Sequence, residues 1–269
     1  MVMTMKHASS RPLVLSIISI EGGAGKSTTA VNLAWQAWKM AGLKTLLIDL
    51  DSNCSLNYFL NTEEHRPLEK TVWSLFQEDF SGELPLISVF DSQAHVCLLP
   101  GHEVIDPDLI TTRRSREKIL KRALPKSQAY TEFDLIILDN RGGIDSIASN
   151  SIAAATHLLL GSRVGVKSPV LGKAISKIVK ILYELELDPE PDLLGVYLNE
   201  MEPSKTHEVV YEGTEKGLSA YEGLVIYPPI PHSGWIAQAN TRKVPLGQIR
   251  PGDSINETYR QIITDLIKT

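Results

Sequence analysis

The segment Glu21-Gly22-Gly23-Ala24-Gly25-Lys26-Ser27-Thr28 places a lysine and two hydroxyls directly behind three glycines. Glycines let successive backbone N–H groups turn inward around an anion with no Cβ in the way. A helix opening just after them adds its partial positive charge. In that setting Lys26 would pair with the β- and γ-phosphates of a nucleotide, and the Ser27 hydroxyl would ligate Mg²⁺. The general phosphate-loop pattern wants glycine where this chain has Ile20, so it fails at that one position. Asp49, Asp51 and Asp139 each stand at the end of an apolar run. Phosphoryl chemistry is mainly positioning and charge neutralisation, so carboxylates near a metal and an oriented water suffice for it.

These groups need a scaffold that brings them together. The chain alternates short β-rich apolar runs with longer segments of helical period, the pattern of βαβ units. The expected fold class is α/β: a single doubly wound, mostly parallel sheet with helices on both faces. Strands are predicted over 13–20, 45–50, 94–99, 133–138, 157–160, 193–198 and 224–227. Helices are predicted over 27–40, 68–80, 111–124, 144–155, from Ser168-Pro169 to about 186, and 254–267. No stretch reads as an interdomain linker, so residues 1–269 are expected to form one domain with 1–11 as a flexible tail. Functional loops of such a sheet lie at the C-terminal ends of its strands, where each motif above falls.

The composition narrows the alternatives. Of 269 residues, 43% are apolar and 22% charged, an ordinary soluble globular balance that argues against disorder or a fibre. The longest apolar runs are far too short to span a bilayer. Two cysteines, Cys54 and Cys97, suit a reducing cytoplasm and argue against a cysteine-held metal within one chain. Net charge is −5, so a nucleic-acid surface would have to be a local patch.

The glycine loop resembles the deviant Walker A loop of the ParA/MinD family of P-loop ATPases, whose pattern is Lys-Gly-Gly-x-Gly-Lys-Ser/Thr. The likeness continues in order along most of the chain. Leu46-Leu47-Ile48-Asp49-Leu50-Asp51 is similar to the family's Asp-x-Asp segment, and 133–139 resembles its Walker B strand. Gly195-Val196-Tyr197-Leu198-Asn199 resembles the strand whose last Asn contacts adenine. Ile230-Pro231, with Ala237-Gln238-Ala239 after it, resembles the loop and helix near the base. The resemblance implies that ATP or ADP binds through Glu21 to Thr28, Asn199 and Pro231. It implies that Ser27, Asp49 and Asp139 hold Mg²⁺, and that Asp51 lies beside the attacking water.

Three departures stand out. The family's leading lysine, which reaches a partner's phosphates across a dimer, is Glu21 here. A carboxylate there would repel them, so either that dimer does not form or another cation serves. Asn140-Arg141-Gly142 stands where the family has Thr-Pro-Pro. Arg141 could therefore supply the missing charge as a catalytic residue, with Lys167 as a second candidate, or it could pair with a carboxylate such as Glu21. Finally, Asp51 is followed by Ser52-Asn53 rather than Pro-Gln.

A basic run from Arg113 to Lys126 would place Arg114, Lys118, Lys121 and Arg122 near one helix face, either a solvated face or a contact to a phosphate backbone. Arg242, Lys243 and Arg250 form a weaker patch. The closing helix has few cations, so packing against the sheet is expected over membrane docking. The scattered histidines show no metal spacing.

The ParA branch positions plasmids, chromosomes and protein cargoes. The resemblance therefore implies an ATP-dependent homodimer, non-specific binding of double-stranded DNA and an adaptor protein that stimulates slow hydrolysis. It further implies a cytoplasmic, nucleoid-associated protein with no stable membrane association. The alternatives are a nucleotide-binding interaction protein with degraded hydrolysis and a MinD-like membrane-cycling ATPase.

Overall fold

A computed structural model describes residues 11–62, 66–92, 95–105, 116–165, 170–219, 221 and 223–269. The strands are β1 (Leu13–Ile18), β2 (Thr45–Leu50), β3 (Ile87–Ser88), β4 (Val96–Leu99), β5 (Leu135–Asn140), β6 (His157–Arg163) and β7 (Asp192–Asn199). The helices are α1 (Lys26–Ala41), α2 (Ser55–Phe59), α3 (Ile119–Ala123), α4 (Ser146–Ala154), α5 (Val170–Leu185), α6 (Lys205–Leu218), α7 (Gly234–Thr241), α8 (Leu246–Ile249) and α9 (Ile255–Leu266).

The strands form one sheet in the order β3-β4-β2-β5-β1-β6-β7. All pairings are parallel except β3 with β4. The doubly wound α/β class expected from the sequence is the class found. β1 lies between β5 and β6, so the chain leaves it toward one edge and later returns to its other side. This is the switch point at which such sheets bind ligands.

The strands are apolar without a break because both faces of the sheet are covered. Leu15, Ile17, Leu47, Leu135, Ile137, Leu159 and Tyr197 face the layer that contains α1, α8 and α9. Their neighbours Val14, Leu46, Ile48, Ile136 and Leu138 face the layer of α3 and α4. Ile18, Leu158, Leu160, Val196 and Leu198 face α5 and α6. Ile255, Tyr259, Ile262, Ile263 and Leu266 of α9 are buried in the first of these layers. Among the described residues, no helix is long and apolar enough to cross a membrane.

Several elements differ from expectation. The helix predicted over 68–80 is two 3₁₀ turns, Leu68–Lys70 and Val72–Phe76. Thr71 between them is extended, at φ −140° and ψ 179°, and its hydroxyl caps Trp73 N, which ends one turn and starts the next. The basic helix is short: Arg116–Lys118 is 3₁₀ and only α3 is α-helical. The common face proposed for Arg114, Lys118, Lys121 and Arg122 is therefore not formed by one helix, and Arg113 and Arg114 lie outside the described residues. The strand predicted over 224–227 is reduced to single bridges, Val196 with Ile226 and Met201 with Pro231. Pro228 and Pro229 lack the N–H donors that would continue it. The helix predicted from 144 starts at Ser146, because the Asp145 side chain accepts from Ile147 N and Ala148 N as an N-cap. The helix at Lys205–Leu218 was not anticipated. Its N-cap, Ser204, accepts from His207 N, but its outer face is polar and carries a weak apolar period.

Candidate functional site

At the C-terminal end of β1 the chain leaves the sheet through residues 19–25 and enters α1 at Lys26. Gly23 and Gly25 hold φ of 76° and 75°, the left-handed region that suits glycine. Gly25 has a second constraint, since a Cβ there would overlap the Asn199 side-chain amide. Asn199 Nδ2 and Tyr197 Oη both reach the carbonyl of buried Ala24, at 3.4 and 3.5 Å. The end of β7 thus braces the loop from one side. Gly142 braces it from another, with its Cβ direction blocked by Gly22 N at 2.7 Å and Glu21 C at 2.9 Å. Gly143 N also donates to Ser19 O at 3.0 Å.

Above the loop opens a cleft of about 470 Å³. Gly22, Gly23, Gly25, Lys26, Ser27, Thr28, Asp51, Asn199 and Pro231 all line it, as the sequence led us to expect. Asn53, Phe59, Gly142, Glu200, His232 and Asn240 line it too. Lys26 is nearly buried, and its Nζ donates to Ser19 Oγ at 2.9 Å. Burial pulls its pKa below the ordinary lysine value, opposed by the charges of Asp139, Asp51 and Glu21.

Asp49 and Asp139 are fully buried on adjacent strands, paired in the β2–β5 register. Asp49 accepts from Asp51 N at 3.1 Å and Leu56 N at 3.0 Å. Among the described residues, neither oxygen of Asp139 has a partner at full hydrogen-bond geometry. Burial raises the pKa of both, and their mutual repulsion adds to the rise at Asp49. For Asp139 the value is pushed up to about 7, although the nearby Ser27 hydroxyl and Lys26 ammonium favour its charged form. Asp51 Oδ1 accepts from the backbone N and side-chain Nδ2 of Asn53, at 2.9 and 3.0 Å.

Neither Glu21 nor Arg141 is among the residues that line the cleft. Glu21 Oε1 accepts from Ser162 Oγ at 3.0 Å and from Arg163 N at 3.2 Å, so it closes the end of β6. Arg141 Nε pairs with Asp145 at 3.0 Å. Lys167 lies outside the described residues. Asn140 fills a structural role: its Nδ2 reaches Ile17 O at 2.9 Å and Ser151 Oγ at 3.0 Å, tying β5 to β1 and α4. In the weaker patch, Lys243 Nζ lies over the Tyr58 ring and Arg250 over the Trp235 ring.

Sequence reasoning missed Arg163 and Glu200. The Arg163 guanidinium lies against Gly23, with Nη1 3.7 Å from where a Cβ would stand, and pairs with the Glu200 carboxylate. The only sequence signal was position: Arg163 ends β6 and Glu200 directly follows β7, beside motifs already identified.

A glycine loop between a central parallel strand and a helix, with buried carboxylates on the paired strands β2 and β5, defines a P-loop nucleotide-binding fold. The model of the family described as AAA domain matches residues 13–186, and the chain belongs to that family. It is a P-loop ATPase relative of the ParA type. The chromosome-partitioning ATPase Soj of Thermus thermophilus is 27% identical over 263 residues, covering 94% of each chain. An ATP complex of McdA from Cyanothece superposes with a TM-score of 0.81 over 96% of this chain and 97% of that one, at 22% identity. A plasmid partition protein of Borrelia burgdorferi, bound to AMPPNP, gives 0.73 over 96% and 99%, at 18% identity. At these identities the two structures speak for the fold alone.

Proposed function

We propose that this chain binds Mg–ATP in the cleft above residues 21–28, dimerises with ATP bound, and hydrolyses it slowly. The observation that carries the reading is Asp139: a fully buried carboxylate compensated, among the described residues, only by the neighbouring Ser27 hydroxyl and Lys26 ammonium, at the foot of a glycine loop. An unpaired buried carboxylate is costly unless a cation or a proton joins it. Magnesium coordinated by the Ser27 hydroxyl, with Asp49 and Asp139 holding its waters, would meet that need. The metal supplies charge neutralisation for the β- and γ-phosphates. Lys26 leaves Ser19 to contact the phosphates, and Asp51 orients the attacking water from the cleft wall. Among the described residues lining the cleft there is no arginine, which fits weak unstimulated turnover.

By this reading the nucleotide state controls association with non-specific double-stranded DNA, and an adaptor protein triggers hydrolysis and release. The role is to partition plasmid or chromosome DNA or to position a protein cargo in the cytoplasm, on the nucleoid. The resemblance to partition ATPases supports it. A second reading, a nucleotide-binding interaction protein with degraded hydrolysis, is favoured by the placement of Glu21 and Arg141, neither of which lines the cleft. Light scattering of an Asp51→Ala variant with ADP, with Mg–ATP, and with Mg–ATP plus DNA separates the two. A dimer with ATP that then binds DNA supports the positioning cycle. A monomer in every state favours the interaction protein.

A further inference from the structure

Among the described residues, Glu200 is one of two acids that line the cleft, the other being Asp51. It follows Asn199 at the end of β7, in a left-handed conformation at φ 60°, and it lines the cleft wall. Non-glycine residues rarely hold that conformation without surrounding support. Here the support is visible. Arg163, ending the adjacent strand β6, pairs with the Glu200 carboxylate, while its own backbone N donates to Glu21 at 3.2 Å.

The same guanidinium packs against Gly23 of the glycine loop. Glu200 is thereby kept within one guanidinium's width of the phosphate end of the cleft. Pro231, His232 and Ala237 also line the cleft. A nucleoside triphosphate with its phosphates at Lys26 and its base toward Pro231 would run through the cleft whose wall Glu200 forms part of. A carboxylate accepts hydrogen bonds strongly and donates none, which suits sugar hydroxyls. Arg163 balances its charge, so the acid does not repel the phosphates.

We propose that Glu200 accepts hydrogen bonds from the ribose hydroxyls of the bound nucleotide and so selects ribonucleotides over deoxyribonucleotides. This rests on the nucleotide reading of the cleft. A site built to bond a hydroxyl rejects the analogue that lacks it, because its polar group is left unpaired.

The test is the affinity of the intact protein for Mg–ATP, Mg–2′-deoxyATP and Mg–3′-deoxyATP, measured for the unmodified chain and for Glu200→Ala. The unmodified chain is expected to bind at least one deoxy analogue about tenfold more weakly than ATP. In Glu200→Ala, ATP should fall to the level of that analogue, whose own affinity stays within about twofold. Retention of analogue binding also shows that the variant is folded. If Glu200→Ala binds neither, Glu200→Gln keeps the shape and removes the charge, and its discrimination should shrink severalfold. Equal affinity of the unmodified chain for all three nucleotides, or full discrimination in the variants, overturns the proposal while leaving the nucleotide site standing. Binding of none of them overturns both.

Discussion

The Glu21 carboxylate lies 3.0 Å from the Ser162 hydroxyl near the end of β6, and it is not among the residues that line the cleft. Position 21 is where the resembling family carries a lysine that reaches phosphates. Here its side chain joins the loop to the neighbouring strand β6 and does not line the chain's own cleft.

It follows that Glu21→Ala should leave Mg–ATP affinity within about threefold of the unmodified chain, because the two hydrogen bonds lost, from Ser162 and Arg163, join the loop to β6. Equilibrium binding checks this. A loss of more than tenfold would place the carboxylate in the nucleotide site.

Gly142→Ala should do much more. Its Cβ would stand 2.7 Å from Gly22 N and 2.9 Å from Glu21 C, and both are backbone atoms that can move only with the loop. Displacing the loop misaims the N–H groups meant for phosphate. We expect ATP affinity to fall at least about tenfold while the melting temperature changes by only a few degrees. An unchanged affinity would show that residues 21–25 tolerate displacement.

The buried acids give a pH signature. The pKa of Asp139 rises from 3.8 to about 7 on folding, by burial above all. The folded chain therefore keeps a proton that the unfolded chain releases, and this contribution to stability is lost as pH rises from about 4 through 7. Without nucleotide or metal, the unmodified chain should lose melting temperature relative to Asp139→Asn between pH 5 and pH 8, by at least about 2 °C. Parallel curves for the two proteins would mean that Asp139 titrates normally.

The site was legible in the sequence where one local segment carries the chemistry. Gly22 to Thr28 would bind phosphate through its own backbone, and the apolar runs before Asp49, Asp139 and Asn199 had to be strands because they are buried on both sides. What could not be read depends on contacts between distant segments. Glu21, Ser162, Arg163 and Glu200 meet only because β1, β6 and β7 are neighbours, an order fixed by the whole sheet. Arg141 was an open choice between a catalytic role and a pairing, and the structure pairs it with Asp145, four residues on. The misread helix at 68–80 failed at Thr71, whose capping hydroxyl competes with helix continuation. The last strand failed because Tyr227 meets two prolines.

The most direct test of the nucleotide reading is calorimetric titration of Mg–ATP into the unmodified chain and into Lys26→Ala. The cleft places Lys26 Nζ on Ser19, ready to transfer to phosphate, and a lost charge-assisted contact of this kind costs about tenfold or more in affinity. The account predicts one Mg²⁺-dependent site per chain that Lys26→Ala weakens by at least that factor. Equal binding by both proteins, or none by either, would contradict it.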